Sequence, residues 1–169
     1  MKLQAIGLGF AFGLLSGARA MSGPVLLSSH LASEAPALTV GASGRLAQIF
    51  SARPLGAGLR LMALGEIAGD KALFTMPRIQ LGPLAARVAS GALSGALVAV
   101  ACGEGVGRPA LAGVDGAVPG AFAGYTLRRL AAKHTPIPDP LLGAAEDLLV
   151  YGAGLVLLRA LPREAEEVS

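Results

Sequence analysis

Tryptophan is absent from this 169-residue chain, and cysteine occurs only once, as Cys102. A single cysteine excludes an internal disulfide framework and a metal cage built from several thiolates. The two histidines, His30 and His134, lie far apart and lack the short spacing of metal ligands. We therefore predict neither a metal site nor a cofactor.

Charge is also scarce. Charged residues make up 15% of the chain, hydrophobic residues make up 53%, and the mean hydropathy is +0.62. A soluble domain usually carries about 25% charged residues, so this chain has too little polar surface to cover a water-soluble body of its size. The net charge of +3 comes from scattered basic residues, which excludes a nucleic-acid-binding patch. The lipid bilayer is the predicted surrounding.

Glycine, in contrast, is abundant, with 24 residues. Many glycines recur every four residues, which places them on one face of a helix, where small residues let a second helix approach closely. We interpret these rows as packing faces within the chain, with a homodimer face as the alternative. The predicted helix-packing glycines are Gly9, Gly13, Gly17, Gly91, Gly95, Gly116, Gly120 and Gly124.

Long apolar segments predict an all-α polytopic transmembrane bundle with four to six spans, in which residues 1–169 form one membrane domain and 162–169 a polar tail. A helix needs about 20 residues to cross the hydrocarbon core. The segments are Leu3–Ala18, Leu55–Phe74, Leu81–Gly103, Ala110–Leu127 and Leu141–Leu161. The shorter Arg45–Ala52 fits a span, a re-entrant helix or a surface helix. The first segment could continue past Arg19, and Gly23-Pro24 would then break or kink the helix. We expect Arg128–Pro140 to form a loop.

The amino terminus allows two interpretations. Ala18-Arg19-Ala20 resembles the cleavage site of a secretory signal peptide. However, "GLLSGA" at Gly13–Ala18 recurs as "GALSGA" at Gly91–Ala96, where no signal peptidase would act. We therefore predict that the first helix remains in the mature protein, the alternative being a secreted protein lacking 1–20.

A second, looser match has the same spacing. "LGEIAGDKAL" at Leu64–Leu73 is similar to "LGAAEDLLVY" at Leu142–Tyr151, and both pairs are offset by 78 residues (91 − 13 and 142 − 64). A shared offset predicts an internal repeat with halves 1–76 and 79–161. Three helices per half would give the halves opposite orientations, the inverted-repeat plan of many transporters.

Ionisable residues inside apolar segments are energetically costly and are functional candidates by default. Glu66 and Asp70 share a helix face at i and i+4. We predict a substrate or ion path formed by five carboxylates, with two arginines as counter-charges. The carboxylates are Glu66, Asp70, Asp115, Glu146 and Asp147, and the arginines are Arg19 and Arg87.

Four segments resemble a family of small glycine-rich bacterial integral membrane proteins catalogued only as a domain of unknown function. They are "SGARAMSGP" (Ser16–Pro24), "GEIAGDKALFTMPR" (Gly65–Arg78), "GPLAARVASGALSGA" (Gly82–Ala96) and "AAEDLLV" (Ala144–Val150). The resemblance implies a multi-pass protein of the bacterial inner membrane. It supplies no activity and transfers no functional residues.

The sequence favours a small transporter or channel-like protein. The alternative is a non-transporting scaffold or partner-binding subunit that uses its glycine faces. Catalysis is not predicted, because "GEGVG" at Gly103–Gly107 lacks the Lys-Ser/Thr of a phosphate loop and no nucleophile–base motif is present. A membrane enzyme acting on lipid is the lesser alternative.

Overall fold

The protein is helical throughout the part of the chain that the computed structural model describes, which comprises residues 1–34, 42–69 and 80–162. Seven α-helices and no strands occur within these ranges, so the all-α prediction is confirmed. The helices are α1 (Lys2–Ala18), α2 (Ser22–Glu34), α3 (Ala42–Ser51), α4 (Arg53–Gly69), α5 (Leu81–Ala101), α6 (Gly107–His134) and α7 (Asp139–Leu158).

Helices α1, α5 and α6 form a tightly packed centre, because their glycines allow the helix backbones to come into direct contact. A Cβ added at Gly13 or Gly91 would lie under 3.0 Å from the backbone of Gly113, and one added at Gly120 would meet the backbone of Leu14. Such contacts bring helix backbones together and gain dispersion energy and weak Cα–H···O bonds. The predicted glycines for which the structure gives such close backbone contacts within the chain are Gly9, Gly13, Gly17, Gly91, Gly95, Gly116 and Gly120.

The contacts also set the helix directions. Gly9, Gly13 and Gly17 of α1 face Pro109, Gly113 and Ala117 of α6, so the numbering rises together and the two helices are parallel. On α5 the order reverses, since Gly91 faces Gly113 and Gly95 faces Pro109. Helix α5 is thus antiparallel to both α6 and α1.

The two copies of the Gly-x-x-Ser-Gly-Ala motif meet at this centre. The Oγ atoms of Ser16 in α1 and Ser94 in α5 lie 2.9 Å apart, and both side chains are fully buried. The two serines are separated by 78 residues along the chain. The matching segments therefore pack against each other in opposite directions through equivalent residues.

The first helix ends at Ala18, where the first apolar segment ends, and a second helix begins at Ser22. The chain leaves helical geometry at Arg19, whereas Gly23-Pro24 lies inside the first turn of α2. A proline there removes an N–H that has no partner within the helix, so Pro24 is compatible with a helix start. The helix that Gly23-Pro24 was expected to break or kink, one that continues past Arg19, does not occur, because the chain already leaves helical geometry at Arg19.

The basic segment after α6 also differs from the prediction. Arg128–His134 continues α6, because Arg, Leu, Ala and Lys are good helix formers, and the helix ends only before the extended Thr135. Thr135 precedes Pro136, and a residue before proline disfavours helical geometry. The predicted loop is thus confined to 135–138.

The length of helix α3 excludes one of the three interpretations of Arg45–Ala52. Helix α3 has 10 residues, which is far short of the about 20 needed to cross a bilayer, so it is not a span. A short break at Ala52 separates it from α4. Helix α3 packs on α2, α4 and α5.

Two helices of the described chain, α5 and α7, are long and apolar enough to cross a membrane, and α1 is a shorter apolar helix of 17 residues. Helix α7 is largely uncovered by the rest of the described protein, with 17% of its most apolar part buried. Its outer face exposes Leu148 and Leu149, while α4 exposes Leu61 and Leu64. Large exposed apolar side chains that form a patch mark a membrane or partner contact.

Candidate functional site at the break between α1 and α2

The break between α1 and α2 is the best-defined polar site in the described chain. Arg19 is extended, with φ −135° and ψ 112°, and helix α2 starts at Ser22. Because a helix end leaves backbone groups without helical partners, a buried break needs partners from elsewhere in the fold. Side chains from α2, α4 and α5 supply them.

The carbonyl groups at the end of α1 are bound by α5. Arg87 donates from Nη1 to the oxygens of Gly17, at 2.8 Å, and Ala18, at 2.6 Å. Ser90 donates its hydroxyl to the oxygen of Ala20. A cation at a helix carboxyl terminus is favourable, because the exposed carbonyl groups carry partial negative charge. Arg87 therefore caps α1 both by hydrogen bonds and by charge.

The amide groups at the start of α2 are bound by α4. Glu66 accepts hydrogen bonds from the N–H of Ala20 at 2.8 Å and from the N–H of Met21 at 3.0 Å, one on each carboxylate oxygen. A carboxylate at a helix amino terminus complements the partial positive charge there. Glu66 also lies 3.5 Å from Arg87, so the two opposite caps form an ion pair across the break.

A second ion pair joins the break to α7. The Nε of Arg19 lies 2.6 Å from Oδ1 of Asp147, and the arginine side chain is 3% exposed. Another nitrogen of the same guanidinium donates to the oxygen of Gly143 at 3.5 Å. Arg19 thus connects α7 to the break through its side chain.

A chain of serines connects the break to the centre of the bundle. Ser22 donates to the oxygen of Arg19 at 2.8 Å, and Ser94 donates to the oxygen of Ser90 at 2.8 Å. Ser94 in turn contacts Ser16. These serines are not among the predicted site residues, although Ser90 and Ser94 lie about one helical turn apart on the same face of α5 as Arg87, which is a detectable signal.

The structure brings together Arg19, Arg87, Glu66 and Asp147 from the predicted set. Glu146 lies elsewhere, 3.7 Å from Arg128, which also binds Asp139 at 2.7 Å. Adjacent residues on a helix point about 100° apart, which is why Glu146 and Asp147 face different partners.

Asp115 also lies outside the cluster. It was expected to project toward the other carboxylates, but its side chain is exposed on α6, whose glycine face turns toward α1 and α5. Asp70 lies outside the described residues. No group of three metal-ligating side chains occurs in the part of the chain that was described.

Comparison with protein-family models, with curated proteins and with solved structures finds no significant match. The class of molecule is therefore defined by its own geometry: an all-helical bundle with a glycine-packed centre and a broken helix whose two ends are held by charged side chains.

Proposed function

We propose that the protein is a multi-pass protein of the bacterial inner membrane that acts as a small transporter or channel-like protein, with its working site at the α1–α2 break. The observation that carries the proposal is the pair of opposite caps, Glu66 on the start of α2 and Arg87 on the end of α1.

Membrane insertion is supported by the apolar surface. Helices α5 and α7 are long enough to span, and α7 exposes Leu155 and Val156 in addition to Leu148 and Leu149. Non-helical backbone is tolerated at membrane depth only where protein or a water-filled cavity surrounds it. The buried Arg19 and the capped amides of Ala20 and Met21 satisfy that requirement.

Broken helices form the binding sites of many transporters, because their half-helix ends offer backbone N–H groups to anions and carbonyl groups to cations. Here Glu66 occupies the amide end and Arg87 the carbonyl end. If Glu66 moves away, the amides of α2 become available to an anion, whose charge Arg87 balances. If Arg87 moves away, the carbonyl groups of α1 become available to a cation, whose charge Glu66 balances. The antiparallel meeting of the two related motifs at Ser16 and Ser94 supports an inverted repeat around this site.

Proton flux provides the first test. Purified protein is reconstituted into vesicles containing a pH-sensitive dye, and a pH gradient is imposed. We expect the wild type to dissipate the gradient faster than empty vesicles and Glu66→Gln to remove most of this activity. Asp115→Asn is the matched control, because Asp115 is an exposed carboxylate away from the break. If neither the wild type nor the Asp115→Asn variant dissipates the gradient faster than empty vesicles, the ion path is contradicted.

A scaffold or partner-binding subunit is the second candidate. It is favoured by the close backbone packing of α1, α5 and α6, which leaves little room for movement. Gly9, Gly13, Gly91 and Gly95 are covered within the chain, so a homodimer through those rows has no support. A partner would instead contact the exposed faces of α4 or α7.

A further inference from the structure

The contacts of Glu66 at the break are those of a bound carboxylate ligand. Its Oε1 accepts a hydrogen bond from the N–H of Ala20 at 2.8 Å, and its Oε2 accepts one from the N–H of Met21 at 3.0 Å. The Nη2 atom of Arg87 lies 3.5 Å from the same Oε1. Hydrogen bonds to an ionised acceptor are among the stronger ones in proteins. Two amides and one guanidinium thus form a set of donors that matches one carboxylate group.

Contacts that do not involve the carboxylate hold these donors in place. Arg87 donates to the carbonyl oxygens of Gly17 and Ala18, at the end of α1. Ser90 donates to the oxygen of Ala20 and so fixes the backbone beside the two amides. Both side chains belong to α5, which is part of the glycine-packed centre. Loss of the carboxylate therefore leaves the donors in position for another anion.

The carboxylate itself comes from a helix at the periphery. Within the described residues, α4 packs on α2 and α3, whereas the donors belong to the break and to α5. Helix α4 exposes Leu61, Met62 and Leu64, and a Cβ added at Gly65 would meet nothing within 4 Å. The side chain of Glu66 can therefore move away with α4 while the donors stay in the packed centre.

We propose that the two amides and Arg87 form a binding site for a small free monocarboxylate, and that Glu66 occupies this site when the ligand is absent. A carboxylate that replaces Glu66 keeps a negative charge beside the buried Arg87, which avoids the cost of leaving that cation unpaired. The glutamate side chain beyond Cβ corresponds to acetate in size and charge, which sets the size class of the ligand. The proposal rests on the proposed function, since it names the substrate class of the same site.

Chemical rescue by acetate is the first test. Glu66→Ala removes the atoms that acetate would replace, and Asp115→Ala is the matched control, because Asp115 is exposed and lies away from the break. We expect sodium acetate, at about ten times the midpoint of its titration, to raise the Tm of Glu66→Ala in detergent by about 4 °C and to leave that of Asp115→Ala unchanged. Equal shifts in the two variants, or an equal shift with sodium chloride, would overturn the proposal.

Two further controls test the role of the charge. Acetamide has the shape of acetate without its charge, so it should not raise the Tm of Glu66→Ala. In the double variant Glu66→Ala with Arg87→Met, acetate should lose most of its effect, because its charge partner is absent. A rescue by acetamide, or one that persists in the double variant, would overturn carboxylate recognition by Arg87.

The amide of Met21 provides a test on the wild type, which does not depend on the folding of any variant at Glu66. The chain has four methionines, so isotope labelling of their nitrogens gives a simple NMR spectrum, in which Met21→Leu identifies the Met21 signal. We expect acetate to shift this signal in the wild type, with a midpoint at higher concentration than in Glu66→Ala, because Glu66 competes for the same donors. A wild type whose Met21 signal does not respond to acetate would show that Glu66 is a permanent cap and would overturn the proposal.

Binding and transport fail separately in these experiments. Binding is measured in detergent, because acetic acid crosses lipid bilayers unaided and would itself change a pH gradient. A wild type that binds acetate at Met21 but does not dissipate a pH gradient would contradict the proposed transport and leave the carboxylate site in place. A wild type that dissipates the gradient without an acetate-dependent shift of Met21 would contradict the carboxylate site alone.

Discussion

At the scale of single residues, Glu66 and Arg87 are the side chains that hold the two ends of the broken helix. Each binds two backbone groups and each lies close to the other, so the loss of one leaves both an unpaired charge and an uncapped helix end. Removing one partner of a buried pair typically costs about 3–5 kcal/mol, far more than the pair itself contributes.

We expect Glu66→Gln and Arg87→Met each to lower the free energy of unfolding in detergent by about 3 kcal/mol. Asp115→Asn should change it by less than about 0.5 kcal/mol, since the side chain is exposed. Chemical denaturation measures these differences. The double variant should lose clearly less than the sum of the single variants, and strict additivity would show that the two caps act independently.

Glycine substitutions test packing at the same scale. Gly13→Leu places a side chain against the backbone of Gly113, and Gly120→Leu places one against that of Leu14. Overpacking of this kind costs about 1–3 kcal/mol, and fixed backbone leaves little room to relax. Gly152→Leu is the matched control, because a Cβ at Gly152 meets nothing within 4 Å. A thermal stability lowered equally in all three variants would contradict backbone contact at Gly13 and Gly120.

At the scale of helices, the sequence predicts existence and type better than it predicts ends. Apolar length identified α5 and α7 within a few residues, because a long apolar helix is visible in composition alone. Apolar length also ends the first segment at Ala18, where α1 ends, but it does not predict that a new helix begins at Ser22. The contacts that hold this break come from Glu66 and Arg87, which reach it from distant helices.

The ion-pair partners of the charged residues are likewise set by tertiary structure and are only partly predictable from sequence. Helical spacing suggested that Glu66 and Asp70 would share a face, whereas the contacts of Glu66 are set by the backbone of Ala20 and Met21. The sequence does predict that carboxylates and arginines meet, because isolated charges in an apolar interior are unfavourable. It does not predict that Arg128 and Asp139 would hold Glu146.

The crossing of α1 and α5 leads to a further prediction. With Cys102 replaced by alanine, Ser16→Cys and Ser94→Cys should form a disulfide under mild oxidation, because the native hydroxyl oxygens lie 2.9 Å apart. A disulfide needs Cβ atoms about 3.5–4.5 Å apart, so only small shifts are required. Ser16→Cys with Ala85→Cys, on the exposed start of α5, should remain reduced. Gel mobility without reductant distinguishes the outcomes.

At the scale of the whole molecule, α1 is part of the core. Ala5 and Phe12 are fully buried, and the glycine face of α1 is covered by α6. Its removal by a signal peptidase would expose the faces of α5 and α6 that now pack on it. That α1 remains in the mature protein stays a prediction, and the mass of the purified protein tests it.

Access of water to the α1–α2 break distinguishes the transporter from the scaffold. A transporter needs water to reach the break, whereas a scaffold can keep Arg19 and Asp147 sealed. Cys102 gives a low background for thiol labelling, because burial, and to a lesser extent the charge of Glu104, raises its pKa and keeps the thiol protonated. Replacing it with alanine leaves a chain without cysteine, in which single positions can be probed.

The most direct measurement is the reaction of Met21→Cys with a membrane-impermeant maleimide, in the Cys102→Ala background and in sealed vesicles. Gly105→Cys in the exposed loop before α6 is the reactive control, and the fully buried Ala99→Cys is the unreactive one. We expect Met21→Cys to react from one side of the membrane, and faster when Glu66→Gln removes the cap from its amide. If Met21→Cys reacts as slowly as Ala99→Cys, both with native Glu66 and with Glu66→Gln, water does not reach the break. Glu66 and Arg87 would then have a purely structural role.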